Sequence, residues 1–165
     1  MRRLIGALAA TLALDAATKA LSSALLAGRE VKLGWLVELK LTRNDGMALG
    51  LFSGNQAAGV LLPVAVILCG WLLMRRYRTT AFTQTACGLV LGGFLGNFLQ
   101  RLYQGWVLDM IYVPFLPWFV GNVADIAICA GVTLMAASLL LRPQDWKEAK
   151  DDAMDNGGGP GGVTP

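Results

Sequence analysis

The sequence predicts an all-α integral membrane protein with four transmembrane helices and a small extracytoplasmic β element between helices one and two. Three observations lead to this fold class. The 165 residues are 55% hydrophobic and 15% charged, with a mean hydropathy of +0.54, which is too apolar for a water-soluble domain of this length. Four separate segments are apolar enough to span a bilayer. In addition, VELKLT at 37–42 alternates apolar and polar residues, as a half-buried strand does.

The four apolar segments each have close to the roughly 20 residues that a spanning helix needs. Together they form one membrane domain over residues 1–141, with an extracytoplasmic segment at about 28–56. Residues 142–165 end in NGGGPGGVTP after a charged run, a composition that cannot bury a core, so they are expected to be a disordered cytoplasmic tail. The helices are predicted at about 4–26, 57–74, 81–101 and 118–141.

The first apolar segment has an alternative interpretation, a cleaved signal peptide. Arg2 and Arg3 precede it, and a basic start is typical of export signals. Asp15 and Lys19 favour a permanent helix instead, because the apolar region of an export signal is normally uncharged.

The distribution of basic residues predicts the orientation in the membrane. If four helices alternate, the arginines and lysines at 2–3, 75–78 and 142–150 all lie on one side, and such an excess marks the cytoplasmic side. Both termini are therefore expected in the cytoplasm. The segment at 28–56 and a proline-containing turn between helices three and four lie on the opposite side.

The residue inventory excludes several kinds of chemistry. The chain contains no histidine, which removes Ser-His-Asp and Cys-His catalysis and histidine-based zinc sites. Cys69, Cys87 and Cys129 lie within apolar runs at no metal-like spacing, and they are interpreted as reduced, buried side chains. We therefore expect no metal ion and no cofactor. The net charge of +3 is too small to indicate a nucleic-acid partner.

Five ionisable residues lie within or beside the apolar segments, where a charge is costly and marks a candidate functional site. All of them fall toward the extracytoplasmic half of the membrane. Asn97 and Asn122 stand at helical spacing from two of the five, so that these polar groups can share one pocket. The five are Asp15, Lys19, Arg101, Asp109 and Asp125.

Asp109 and Asp125 have two interpretations. One is structural, with Asp109 as an interfacial turn residue and Asp125 as a helix charge favoured by the dipole. The other is a carboxylate dyad that shares a proton, in which one carboxylate activates water while the other donates to the substrate carbonyl. Asp15 and Lys19, at i and i+4, form either a self-neutralising ion pair or part of that site. A Ser-Lys dyad of Lys19 and Ser23 is disfavoured, because Asp15 would keep the lysine charged.

Four blocks of the chain, in order, resemble the lipoprotein signal peptidases, also called signal peptidase II. The resemblance implies an intramembrane aspartic endopeptidase of the bacterial cytoplasmic membrane. Such an enzyme removes the signal peptide from diacylglyceryl-modified prolipoproteins by cleaving just before the lipid-bearing cysteine. The blocks are LDAATK at 14–19, TRNDGMALGLF at 42–52, GGFLGNFLQRLYQGWVLDMI at 92–111 and FVGNVADIAICAG at 119–131.

The same resemblance implies roles for individual residues. Asp109 and Asp125 match the two catalytic aspartates of the family. The expected partners are prolipoprotein substrates and membrane lipid, and the chain is expected to be a monomer. Substrate binding or support of the aspartate pair is implied for Asn44, Gly46, Asn97, Arg101, Asn122, Ala124, Asp15 and Lys19.

Two positions depart from the family pattern. Gln100 stands where an aspartate usually precedes the arginine, and Met110 stands where an aromatic residue usually follows the first catalytic aspartate. Gln100 retains hydrogen-bonding capacity without the charge, so a catalytically inactive relative is one alternative function. The other is a small proton- or ion-coupled transporter, but predicted helix two carries no ionisable residue with which to continue a relay across the membrane.

Overall fold

The structure is a computed structural model that describes residues 1–45, 56–77, 80–117 and 119–146. Within these residues, four helices and four short strands follow one another. The helices are α1 (Arg2–Leu25), α2 (Gln56–Arg76), α3 (Ala81–Gln104) and α4 (Val123–Leu141). The strands are β1 (Val31–Leu33), β2 (Val37–Asn44), β3 (Val107–Tyr112) and β4 (Val120–Gly121). A 3₁₀ turn over Pro143–Trp146 follows α4.

The helices have the dimensions of membrane spans. α1, α3 and α4 are each long and apolar enough to cross a membrane. α2 has 21 residues, about 30 Å of helix at the usual rise per residue, and its described apolar stretch, Pro63–Leu72, is shorter than the other three. Together with the small sheet, these helices confirm the predicted fold class.

α3 is the central helix, because it packs against α1, α2 and α4. Its contacts with α1 and α4 are made at glycines. A Cβ atom on Gly88 would lie 2.8 Å from the Ala7 Cβ of α1, and one on Gly93 would overlap the Ala124 carbonyl oxygen of α4. Small residues at such positions let helix backbones approach closely, which is how many helices associate in lipid. These glycines therefore set the spacing of the helices that carry the polar residues.

The ends of α3 and α4 are defined by local chemistry. At the start of α3, Thr80 and Thr83 form a capping box. At the start of α4, the Asn122 side chain accepts from the Asp125 N–H over 3.1 Å, and the Asp125 carboxylate accepts from the Asn122 N–H over 3.0 Å. α3 ends at Gly105, whose φ of 79° lies in the left-handed region that favours glycine. This turn directs the chain from α3 into β3.

The strands form one antiparallel sheet in the order β1-β2-β3-β4. The strand predicted from the alternation at 37–42 is confirmed as part of β2. The sheet is larger than predicted, because the segment between α3 and α4 is not a simple turn but supplies β3 and β4. Register across β2 and β3 sets Thr42 opposite Asp109 and Asn44 opposite Val107. The sheet therefore joins the segment that follows α1 to the segment that follows α3.

The start of helix four differs from the predicted boundary at 118. α4 begins at Val123, because Val120 and Gly121 pair with β3 and Asn122 then caps the helix. Sequence periodicity does not separate a two-residue strand from the apolar helix that follows it, which explains the difference.

The first residues of the segment predicted as a disordered tail, Pro143–Trp146, form a 3₁₀ turn. The Asp145 carboxylate is buried, accepts from Ser138 Oγ over 3.3 Å and forms an ion pair with Arg142 at 2.9 Å. The Trp146 indole N–H donates to the same Ser138 Oγ over 3.2 Å. These contacts order the 3₁₀ turn, whereas residues 147–165 lie outside the described part of the chain.

The cysteines are free thiols, as predicted, but their surroundings differ from the prediction for two of them. Cys87 is buried in the bundle, whereas Cys69 and Cys129 are exposed on its surface. The exposed pair lie on helix faces turned away from the bundle core, which in a membrane protein face lipid.

Candidate active site

Asp109 lies in β3, and the residue is fully buried. Each of its carboxylate oxygens accepts a hydrogen bond from an asparagine amide. Asn44 Nδ2 donates to Oδ2 over 2.7 Å, and Asn122 Nδ2 donates to Oδ1 over 2.7 Å. Asn44 is the last residue of β2 and Asn122 is the cap of α4. The sheet and a helix therefore hold this carboxylate from two directions.

Asp125 occupies the third position of α4. Its Oδ2 accepts from the backbone N–H of Asn122 over 3.0 Å, and its Oδ1 accepts from Asn97 Nδ2 of α3 over 2.8 Å. The first turn of a helix also favours a carboxylate through its dipole. Asn122 donates to Asp109 through its side chain and to Asp125 through its backbone. One residue therefore holds both aspartates in a single cluster.

Asn97 connects this aspartate cluster to α1. Its side-chain oxygen accepts from Asn122 Nδ2 over 3.1 Å and from Lys19 Nζ over 3.0 Å. Lys19 also forms an ion pair with Asp15 at 2.7 Å. The other oxygen of Asp15 accepts from the backbone N–H of Ala124 over 3.1 Å. Asp15 and Lys19 are therefore an intrahelical ion pair that also bonds residues of α3 and α4.

The geometry disfavours a Ser-Lys dyad. Ser23 Oγ donates to the backbone carbonyl of Lys19 over 2.8 Å. The Lys19 ammonium is instead bonded to Asp15 and Asn97. The amine thus faces a carboxylate and an amide oxygen, not the serine hydroxyl.

Burial raises the pKa of Asp109 to about 6 from an ordinary value of 3.8. The hydrogen bonds from Asn44 and Asn122 oppose this shift, because they stabilise the charged form, and so does the positive charge of Lys19. The negative charge of Asp125 adds to the shift. Across the described residues, every buried side-chain nitrogen or oxygen has a hydrogen-bond partner. The cluster is thus a fully bonded polar site in an apolar bundle.

The structure places two further residues from the predicted set. Arg101 lies one turn after Asn97 on α3 and interacts electrostatically with both aspartates. Ala124 is fully buried at the close contact with Gly93. Gly46, the remaining predicted residue, lies outside the described part of the chain.

Two glycines that border carboxylates were not identified from the sequence. A Cβ atom on Gly96 would lie 3.0 Å from Oδ2 of Asp15, and one on Gly121 would lie 3.0 Å from Oδ2 of Asp125. Each immediately precedes an asparagine of the cluster, which was the available signal. The two carboxylates have room at these positions because Gly96 and Gly121 carry no side chain.

Comparison with known proteins identifies the family. A family model described as signal peptidase (SPase) II matches residues 7–141. The chain belongs to the signal peptidase II family. The lipoprotein signal peptidase of Methylorubrum extorquens is 36% identical over 163 residues, which cover 93% of this chain and 94% of that relative. The lipoprotein signal peptidase of Lactobacillus gasseri is 36% identical over 100 residues, 59% of this chain, and this match spans 64% of that relative.

Two solved structures share the fold. Both are of bacterial membrane enzymes determined by the in meso method. The first has a TM-score of 0.75 at 24% identity and covers 85% of this chain and 88% of its own. The second has a TM-score of 0.74 at 23% identity and covers 86% of this chain and 95% of its own.

Membership in the signal peptidase II family confirms the predicted family and the prediction of a membrane peptidase. The relatives are named lipoprotein signal peptidases, which supports cleavage of lipoprotein signal peptides as the function. The transporter interpretation receives no support from these matches.

The two departures from the signal peptidase II pattern flank the backbone that carries Asp109. Gln100 Oε1 accepts from the backbone N–H of Leu108 over 3.1 Å, so the hydrogen-bonding capacity predicted for Gln100 is used. Met110 lies in β3, and its unbranched side chain is buried.

Proposed function

We propose that this chain is an intramembrane aspartic endopeptidase that removes the signal peptide from diacylglyceryl-modified prolipoproteins, cleaving just before the lipid-bearing cysteine. Asp109 and Asp125 are its catalytic pair. The observation that carries the proposal is that Asn122 bonds both carboxylates and so holds them in one cluster. Membership in the signal peptidase II family supports the same activity.

The proposed chemistry is general acid–base hydrolysis by a pair that shares one proton, because two carboxylates held close together cannot both ionise without strong repulsion. The ionised carboxylate takes a proton from water as the water oxygen attacks the scissile carbonyl carbon. The protonated partner gives its proton to the carbonyl oxygen. When the tetrahedral intermediate collapses, the first residue protonates the leaving amine and the second recovers its proton from a hydroxyl. The C–N bond is thereby broken with no covalent intermediate.

The residues around the pair support this chemistry. Asn44, Asn97 and Asn122 orient the carboxylate oxygens through uncharged amides, which fix geometry without neutralising either aspartate. The raised pKa of Asp109, about 6, keeps a transferable proton available close to neutral pH. Arg101 balances the charge of the pair from α3.

The proposed orientation follows from where the charges lie. The cluster is at the C-terminal end of α3 and the N-terminal end of α4, beside the sheet. The opposite end of the bundle holds the basic residues at 2–3, 75–76 and 142, and an excess of this kind faces the cytoplasm. Both termini are then in the cytoplasm of a bacterium, and the catalytic pair is near the extracytoplasmic surface of its inner membrane. There a monomer receives its lipid-bearing substrate sideways from the bilayer.

The proposal is tested with Asp109→Asn and Asp125→Asn in the purified full-length protein. Asparagine keeps the shape of each side chain but cannot accept and return a proton, so cleavage of a diacylglyceryl-modified precursor is expected to fall below detection for both. Asp145→Asn is the matched control, since Asp145 is buried like Asp109 but lies in the 3₁₀ turn that follows the opposite end of α4. It is expected to keep wild-type turnover. Cleavage at the wild-type rate by either dyad variant contradicts the assignment.

The substrate class is tested with the same precursor in two forms. The diacylglyceryl-modified precursor is expected to be cleaved immediately before its modified cysteine, whereas the unmodified precursor is expected to remain intact. Equal cleavage of both forms contradicts the lipid requirement. It does not affect the assignment of the catalytic pair, which the aspartate variants test.

A further inference from the structure

The strand that carries Asp109 is only partly covered by β4. β4 pairs with β3 at Ile111 and Tyr112. Nearer the start of the strand, the backbone of Leu108 forms hydrogen bonds with side chains. Its N–H donates to Gln100 Oε1 over 3.1 Å, and its carbonyl accepts from Asn122 Nδ2 over 3.4 Å. Two side chains therefore take the place of a neighbouring strand at the residue that immediately precedes Asp109.

Gln100 is well placed for this bond. It lies in the last turns of α3, and the left-handed turn at Gly105 brings β3 back beside that helix. Its side-chain nitrogen donates to Gln104 Oε1 over 3.3 Å, so the amide is held from the other end as well. Gln100 is partly buried, whereas Gln104 is exposed. The two hydrogen bonds of Gln100 can therefore be removed separately.

The bond has a direct consequence for the carboxylate of Asp109. A strand residue whose N–H and C=O are both bonded cannot rotate freely, and the peptide that follows it sets the direction of the next Cα–Cβ bond. The Asp109 side chain must keep hydrogen bonds to Asn44 and Asn122, both at 2.7 Å. Release of Leu108 from α3 would let this side chain drift from that position.

We propose that Gln100 is a positioning residue. It fixes the backbone of Leu108 and so keeps the Asp109 carboxylate in its position relative to Asp125. This inference rests on the proposed function for its effect on turnover. Because the Gln100 amide is neutral, it orients the strand without placing a third negative charge near the pair. The charges that already act on the pair come from Lys19 on α1, which is itself paired with Asp15, and from Arg101 on α3.

The test compares three variants of the full-length protein. Gln100→Met keeps the approximate length of the side chain and removes its acceptor. Gln104→Met is the matched control, because it removes the second partner of Gln100 and leaves the Leu108 bond in place. Gln100→Glu restores the acceptor and adds a negative charge. Turnover, KM and the pH profile are measured with a diacylglyceryl-modified precursor.

Gln100→Met is expected to lower kcat roughly threefold to tenfold, the effect of one lost hydrogen bond, with little change in KM. Gln104→Met is expected to match the wild type. Gln100→Glu is expected to recover most of kcat, while the pH above which activity falls moves upward, because the added charge makes the pair harder to ionise. Wild-type kcat for Gln100→Met, or an equal loss in Gln104→Met, overturns the proposal.

A second measurement does not depend on activity. Hydrogen exchange of the Leu108 amide is expected to be roughly threefold to tenfold faster in Gln100→Met than in the wild type or in Gln104→Met. Unchanged exchange overturns the positioning role. If the wild type fails to cleave the precursor, the proposed function fails, whereas a wild type that cleaves alongside an unaffected Gln100→Met contradicts this inference alone.

Discussion

Replacement of Gly93 by alanine should disturb both the stability and the activity of the protein through one steric contact. The added Cβ would overlap the Ala124 carbonyl oxygen and lie 2.7 Å from Ile128 Cγ1, whereas ordinary contact begins at 3.4 Å. α3 and α4 must therefore separate by at least about 0.7 Å, and overpacking of this kind costs roughly 1–3 kcal/mol. The displaced segment is the first turn of α4, which holds Asp125. Its hydrogen bond to Asn97 of α3, at 2.8 Å, cannot stretch that far and remain strong.

The assay compares Gly93→Ala with Gly6→Ala in detergent, by thermal unfolding and by cleavage of a lipid-modified precursor. Gly6 is the control because a Cβ atom there meets nothing within 4 Å. We expect Gly93→Ala to unfold at a lower temperature and to lose on the order of tenfold in kcat, since small displacements of catalytic groups reduce rates strongly. Gly6→Ala should match the wild type. A Gly93→Ala variant with wild-type unfolding and turnover would refute the argument that glycine contact sets the position of Asp125.

Two further predictions concern buried charge. Because the pKa of Asp109 is raised to about 6 in the folded protein from 3.8, the folded state binds a proton that the unfolded chain has already lost between these pH values. The free energy of unfolding of the wild type, compared with that of Asp109→Asn in denaturant titrations, should therefore fall by on the order of 3 kcal/mol as pH rises through this window. A difference between the two proteins that does not change with pH would contradict this prediction. Lys19→Met leaves the Asp15 carboxylate buried without its ammonium partner and should lower the free energy of unfolding by roughly 3–5 kcal/mol. Adding Asp15→Asn, whose side-chain oxygen can still accept from the Ala124 N–H, should restore much of that loss; a double variant no more stable than Lys19→Met would count against the ion pair.

Much of the fold was predictable because it depends on local pattern. The apolar segments predicted the helices, and the alternation at 37–42 predicted β2. The spacing of Asp15 and Lys19 predicted their ion pair, since residues four apart share a helix face. The spacing of three residues between Asn122 and Asp125 predicted that they lie on one face, and in the structure the two form the capping box of α4.

Strands β3 and β4 were missed for a physical reason. Their residues are apolar and lie between two spanning helices, so composition alone describes them as a turn at the membrane surface. Pairing with β2, which shifts in register between Leu39 and Thr42, turns this segment into a sheet. Such a shift leaves no periodic signal in the sequence.

The sequence by itself determined the membrane as solvent, the existence of the helices and the inventory of polar residues, because each follows from composition or from neighbours within a few positions. Only the tertiary structure decided which of those residues meet. Asn44 bonds Asp109 across 65 positions, and Asp15 bonds the backbone of α4 across 109. Those contacts depend on strand register and on the glycines that let α3 approach its neighbours. The residues next to a polar side chain in the sequence do not indicate which distant partner this packing brings to it.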